Sequence, residues 1–106
     1  MELSISGRNT ELTNALTDYA QEKFQRMDRF FNGIVRAQAV LKVEHDSQIA
    51  ELIVAVQGGK DLVAEAAEQD MYAAVDVVTE KMERQLKKHK AKLKAKRPRR
   101  SRRMEA

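Results

Sequence analysis

The residues in this chain best equipped for chemistry are its bases, and they crowd at one end. Thirteen of the twenty Lys and Arg residues lie between Lys81 and Ala106, against two acids, Glu83 and Glu105, for a net of +11. Residues 1–80 carry the other seven bases and fourteen acids, a net of −7, so the overall +4 conceals an acidic body with a basic end. Such cationic density suits a polyphosphate backbone, because each phosphate neutralised releases condensed counterions. The spacing adds direction. On a helical wheel with Met71 at 0°, Lys81, Arg84, Lys88 and Lys92 fall at roughly 220° to 300°. Asp76, Glu80 and Glu83 take the opposite flank, while Lys87, Lys90, Lys94 and Lys96 surround the far end. Sorting bases to one flank makes a stripe, where a merely solvated face would mix the signs. Earlier in the chain, Lys23 falls about 20° from Leu12 on its own wheel, inside an apolar arc, with Arg26 at the edge. Either the Lys23 stem covers core surface while its ammonium reaches water, or both side chains point into an interhelical groove and extend the basic surface.

Other chemistries are poorly supplied. There is no Cys, which removes disulfides, thiolate nucleophiles and Cys-based zinc sites. His45, Asp46 and Ser47 are triad residue types, but three neighbours in a turn point apart and lack an orienting scaffold. His45 and His89 stand far apart without carboxylates at ligand spacing, so no metal and no cofactor are expected. Gly58-Gly59 sits between two strands and not at a strand-to-helix turn, so it is no phosphate-cradling loop. Tyr72 is placed to stack on a base or to pack in the core, the latter being the commoner use of such a residue. Phe30 and Phe31 read as core and helix-end packing. The N-terminal residues lack a signal-peptide layout, and no apolar run approaches membrane-spanning length. A soluble, reduced, cytoplasmic protein with no catalytic residues and no small-molecule substrate is the expectation. Resting on a membrane is disfavoured, because the apolar stripe of the last helix is needed for the core.

The elements that must position these bases follow from hydrophobic period. At 106 residues the chain makes one domain. Leu3 and Ile5 alternate with polar neighbours up to Gly7, a short strand. Leu12, Leu16, Tyr19, Ala20, Met27 and Phe31 recur near the helical period, predicting a helix from Thr10 to Asp28, capped at Asn9 or Thr10 and closed by Asn32-Gly33. Val35, Ala37, Ala39, Leu41 and Val43 predict a long half-buried strand. After a turn at 45–47, Ala50, Leu52, Val54 and Val56 predict a third strand and Leu62, Ala64 and Ala66 a fourth, joined by a tight Gln57–Lys60 hairpin. Asp70 should cap the last helix, whose stripe is Met71, Val75, Val78, Met82, Leu86, His89 and Leu93, with Pro98 as its stop. The fold class is therefore α+β, in the order β-α-β-β-β-α, with two helices on one face of a four-stranded sheet. A helix of that length outruns the sheet, so its basic end projects. Residues 97–106, Arg-rich and nearly devoid of apolar side chains, are expected to be a disordered basic tail following a domain at 2–96.

Two runs are more specific than any of this. Asp70-Met71-Tyr72-Ala73-Ala74-Val75-Asp76 leads into Lys81-Met82-Glu83-Arg84-Gln85-Leu86-Lys87-Lys88-His89-Lys90. With Leu3-Ser4-Ile5-Ser6-Gly7, with Lys23-Phe24 and the following Phe30-Phe31, and with the Gly58-Gly59 hairpin, this pattern resembles the bacterial ribosome hibernation-promoting factors, short-form translation inhibitors of the ribosome. The resemblance runs from residue 2 to about residue 96. It implies a domain that binds the small ribosomal subunit and its ribosomal RNA, covers the mRNA channel and the A- and P-site tRNA positions, and silences ribosomes when growth slows. It also implies rRNA contacts at Lys23 and Arg26, then at Lys81, Arg84, Lys87, Lys88, Lys90 and Lys92, in a protein that is monomeric away from the ribosome. Long members add a domain that pairs two ribosomes, so the expected action runs from blocking single ribosomes to promoting dimers. The competing expectation is a general double-stranded RNA binder, whose α-β-β-β-α order is shared. The extra first strand and the Asp-Met-Tyr run argue against it.

Overall fold

The computed structural model describes residues 1–95, with side chains through residue 92. Strand β1 (Glu2–Arg8) leads to helix α1 (Asn14–Gln25) and a 3₁₀ turn at Arg26–Arg29. Strands β2 (Ile34–Glu44), β3 (Ser47–Val56) and β4 (Leu62–Glu68) then precede the long helix α2 (Met71–Ala95). The sheet order is β1-β2-β3-β4, with β1 parallel to β2 and the other two pairings antiparallel. This is the expected α+β arrangement. The expected stop at Pro98, Lys96 and the tail at 97–106 lie outside the described residues.

Strand period decides which residues meet the helices. The rows Leu3–Ala37–Val54–Leu62, Ile5–Ala39–Leu52–Ala64 and Gly7–Leu41–Ala50–Ala66 line one face of the sheet. Five of these twelve positions are Ala, so the sheet surface is shallow and the large side chains come from above. Phe24, Met27, Val75, Val78, Met82 and Leu86 fill that space and are 0% exposed. Both helices join the same buried cluster, which puts both on this face, α2 over β3 and β4 and α1 towards β1. Packing large helix side chains onto a floor of small ones lets the layers interdigitate without voids.

Three local expectations shift. Helix α1 begins later, at Asn14, because Thr13 is the working cap: its hydroxyl accepts the Leu16 N–H at 3.1 Å. Leu12 has to reach Gly7, where a Cβ would come within 2.9 Å of its Cγ, so the chain stays extended until the second Thr. Asn9 turns the chain off β1 with φ of 58°, a left-handed conformation that Asn tolerates. The helix also ends earlier, at Gln25, tightening into the 3₁₀ turn that still buries Met27. In β2, a bulge between Ile34 and Arg36 sends Ile34 inward and Val35 out, at 6% and 47% exposure, where strict alternation puts Val35 inside. An extra residue in one strand flips the side chains ahead of it. The β3–β4 connection spans five residues, 57–61, longer than a tight hairpin, with Gly58 at φ of 66°.

The start of α2 is as the sequence predicts. The Asp70 carboxylate accepts the Ala73 N–H at 3.3 Å, and its carbonyl accepts that of Ala74 at 3.0 Å. Thr79, the buried polar side chain of the stripe, donates to the Val75 carbonyl at 2.7 Å and so leaves no orphan hydroxyl. Two substitutions test this account by urea unfolding. Phe24→Ala should destabilise the domain by about 3–5 kcal/mol, the cost of an unfilled core site. Thr13→Ala should cost about 1 kcal/mol, and Thr10→Ala far less, if the cap lies where it is described.

Candidate nucleic-acid interface

The predicted stripe separates into bases with intramolecular partners and bases without. Strand β4 is an edge of the sheet, so its alternate carbonyls face outward. Lys81 Nζ donates to the Glu65 carbonyl at 2.8 Å, and Gln85 Nε2 donates to the Val63 carbonyl at 2.7 Å. One helical turn, about 6 Å for four residues, matches the two-residue repeat of a strand, about 7 Å. Lys81 and Gln85 thus stand in for part of a missing fifth strand. Lys81 keeps other N–H groups, but its position is set by β4.

Lys23 is likewise engaged. Its Nζ lies 3.2 Å from Asp76 Oδ1, the same oxygen that accepts the Tyr19 hydroxyl at 2.5 Å. The ammonium also stands 5.5 Å from the Tyr19 ring centroid, and that ring packs edge-on against Tyr72 at 5.0 Å. Of the two readings for Lys23, the interhelical groove is correct, yet the groove supplies its own anion. The hydrogen bond to Asp76 is the main cause of a raised Lys23 pKa, with partial burial opposing and the Asp76 charge assisting. It is also the main cause of a raised Tyr19 pKa, helped by burial and by the same negative charge. A pair this open to solvent contributes little stability of its own, and its effect is to fix α1 against α2. Tyr72, 37% exposed, is held by this seam and is not part of the sheet core.

The uncommitted bases lie further along α2. Among the described residues, none of Arg26, Arg29, Arg84, Lys87, Lys88, Lys90 or Lys92 forms an ion pair. Lys88 and Lys92 flank a recess with Leu62, Gln85 and His89 on the β4 side. His89 is half-buried, packed edge-on to Phe31 at 5.1 Å and close over Gly59, so it anchors this end of the helix to both loops. On the α1 side, Lys87 and Lys90 meet the 3₁₀ turn, where Arg29 and Phe30 project. Arg26 shares another open recess with Glu22, Gln25 and Arg29. Of the eight predicted residues, Arg84, Lys87, Lys88, Lys90 and Lys92 lie on the distal half of α2 and Arg26 on the adjoining 3₁₀ turn, while Lys23 on α1 and Lys81 on α2 are engaged in structural contacts. Sequence reasoning did not single out Arg29, which lines the same recess as Lys87 and Lys90, and its reading of Phe30 as helix-end packing fits a half-buried ring. It placed Asp76 on the acidic flank without finding its partners, although that flank faces the groove Lys23 was suspected of entering.

Among the described residues there is no group of three or more His, Asp or Glu side chains placed to hold a metal ion. Among the described residues, no helix is long and apolar enough to cross a membrane. Comparison with known proteins is specific. Residues 3–94 match the model of the family described as Sigma 54 modulation protein / S30EA ribosomal protein. A ribosome hibernation promoting factor of Klebsiella oxytoca is 47% identical over 94 residues, covering 89% of this chain and 98% of that protein. A protein of the same name from Pseudomonas putida is 44% identical over 92 residues, covering 87% and 89%. Among solved structures, the ribosomal subunit interface protein of Coxiella burnetii superposes with a TM-score of 0.80 at 26% identity, over 86% of this chain and 99% of that one. The N-terminal domain of Thermus thermophilus Protein Y gives 0.76 at 34% identity, over 84% and 99%.

The Asp76 seam makes a measurable prediction. Tyr19 and Lys23 are each held in the protonated form, so what they add to stability is present below their ordinary values of 10.0 and 10.5. That contribution is lost only as pH rises through the higher folded values. Titration of phenolate absorbance should show Tyr19 ionising above 10.0, and Asp76→Asn should bring that step down. A step unmoved by the substitution would dissolve the seam as described. Between pH 6 and 9 neither group titrates, so stability there should owe no pH dependence to this pair.

Proposed function

The chain belongs to the Sigma 54 modulation protein / S30EA ribosomal protein family, and from that premise we propose that it acts on ribosomes as a hibernation factor in the cytoplasm. The names of its relatives support the broad role. The finer reading is that the domain lodges on the small subunit between head and body, over the mRNA channel and the A- and P-site tRNA positions, and stops translation when growth slows. The observation that carries it is the set of unpaired cations on the distal half of α2 and the adjoining 3₁₀ turn, within the stretch the family model matches. Those bases meet phosphates of ribosomal RNA: Arg84, Lys88 and Lys92 on one rim, Arg26, Lys87 and Lys90 on the other. Lys23 and Lys81 act mainly by holding α1 and β4 against α2, with their remaining N–H groups facing the same surface. The mechanism is occupancy. The folded domain fills space that mRNA and tRNA require, and no bond is made or broken. Pairing of ribosomes is a further possibility of the family that the distal tail and partner proteins would decide.

Translation in a purified system should fall in proportion to added protein up to one per ribosome, and initiator tRNA and mRNA should relieve the inhibition. Inactivation of many ribosomes by one molecule would point to catalysis and end this reading. A long RNA duplex in excess should not compete, whereas a general double-stranded RNA binder would transfer to it. Replacing Arg84, Lys88 and Lys92 together by Gln should reduce the log–log salt slope of small-subunit binding by roughly 2 to 3, at about 0.7–0.9 per lost phosphate contact. Helical circular dichroism should be unchanged. Lys81→Gln should leave the slope nearly as it was, because that ammonium serves the Glu65 carbonyl.

A further inference from the structure

Between the 3₁₀ turn and α2 lies a recess of about 320 Å³ bounded by Arg29, Phe30, Lys87, Lys90 and Ala91. Two features set it apart from the rest of the basic surface. It gathers three cations and no acid, and none of the three has an ion-pair partner among the described residues. Converging like charges repel, so this arrangement is one that an anion would relieve. The recess also contains an aromatic ring. Phe30 is half-buried, and the Lys87 ammonium stands 5.2 Å from its ring centroid. A cation over a ring marks a surface with π character beside the recess. Ala91 sits one turn beyond Lys87, and its small side chain leaves the space open. Cations flanking an accessible aromatic are the two elements by which proteins hold single-stranded nucleic acid, phosphates on the bases of the protein and a nucleobase on the ring. The recess on the β4 side has two lysines, and the ring that lines it, the half-buried His89, is already packed edge-on against Phe31.

We propose that this recess seats one unpaired nucleotide of RNA, its base against Phe30 and its flanking phosphates at Arg29, Lys87 and Lys90. The proposal rests on the ribosomal reading for its choice of partner and adds to it that the α1-side rim grips a looped-out nucleotide, where the β4-side rim grips backbone alone. On arrival of the base, the Lys87 ammonium exchanges the ring for a phosphate.

The chain has no Trp, so Phe30→Trp installs a single reporter at the site. Its fluorescence should be quenched by heptauridylate at low salt, and not by the same oligomer with an abasic centre or by an RNA duplex of equal length. Phe30→Leu, which keeps an apolar side chain of similar bulk, should bind heptauridylate about tenfold more weakly while binding the abasic oligomer unchanged. Circular dichroism confirms that both variants fold. Co-sedimentation of wild type with small subunits is measured in parallel. Wild type that sediments, with a Trp reporter blind to the base and a Phe30→Leu affinity equal to wild type, overturns the nucleotide seat and leaves the ribosomal reading standing. Base-dependent quenching without sedimentation supports the seat and removes the ribosome as its partner. Equal quenching by base-containing and abasic oligomers shows a phosphate site alone and overturns the proposal.

Discussion

Burial of one apolar stripe of α2 against β3 and β4 is the interaction on which the rest depends. Met71, Val75, Val78, Met82 and Leu86 are at most 6% exposed, and they fix the rotation of the helix about its axis. Once that rotation is fixed, every other residue of α2 has its direction assigned. Asp76 must face α1, Lys81 and Gln85 must overhang the edge of β4, and Arg84 and Lys88 must face solvent. The Ala-rich floor of the sheet makes this docking close, since small side chains below accept large ones from above. A helix free to roll by one residue, about 100°, would turn its cations towards the sheet. The presentation of charge is thus a consequence of core packing.

The same helix closes two weak points of the fold. A four-stranded open sheet has two edges, and an unpaired edge invites strand addition. Lys81 and Gln85 occupy the Val63 and Glu65 carbonyls of β4, so the helix that covers the sheet face also covers its edge. The seam with α1 is closed by Asp76, which takes the Tyr19 hydroxyl and the Lys23 ammonium on one oxygen. These contacts explain why a surface so rich in Lys is not uniformly available. Where a base sits near the start of α2 it is drawn to an acceptor of the protein itself. Beyond Leu86 the described bases, Lys87, Lys88, Lys90 and Lys92, form no ion pair.

Most of the fold was legible because both periods are clean. Helix α2 could be read almost residue by residue, and the inward faces of β3 and β4 came directly from alternation. The failures have local causes. The sequence reading capped α1 at Asn9 or Thr10, and the cap falls instead at Thr13, past the point where Leu12 packs over Gly7. Alternation cannot reveal a bulge, because the extra residue in β2 is visible only when its pairing with β3 is known. The site was legible as charge but not as partnership. Lys23 and Lys81 have the same composition-level signal as Lys88 and Lys92, and what distinguishes them is an acceptor on another element, Asp76 in one case and a β4 carbonyl in the other. Phe30 is half-buried at the end of the 3₁₀ turn, as helix-end packing predicts, and what the sequence did not show is the Lys87 ammonium over its ring.

The charge distribution along α2 bears on why its distal half is basic at all. Bases near a helix C-terminus are favoured by the macrodipole, but that effect fades within the last turn and amounts to about 0.3–1 kcal/mol per charge. It reaches neither Arg84 nor Lys88. Arg84, Lys88 and Lys92 are moreover spaced four apart, where like charges oppose the helix by about 0.2–0.5 kcal/mol per pair. Solubility would be served as well by alternating Glu and Lys, which would turn each repulsion into an attraction. The helix therefore carries a small cost along its exposed edge, where no ion pair forms among the described residues. Under the proposed function, such a cost would be recovered on binding, when phosphates replace the missing acids and counterions are released. The acids gathered at the other end of α2, Asp46, Glu68 and Asp70, supply the complementary constraint, since they would be repelled by the same phosphates. On the proposed ribosomal reading, attraction at one end and repulsion at the other would favour one orientation of the domain against RNA before any specific contact forms.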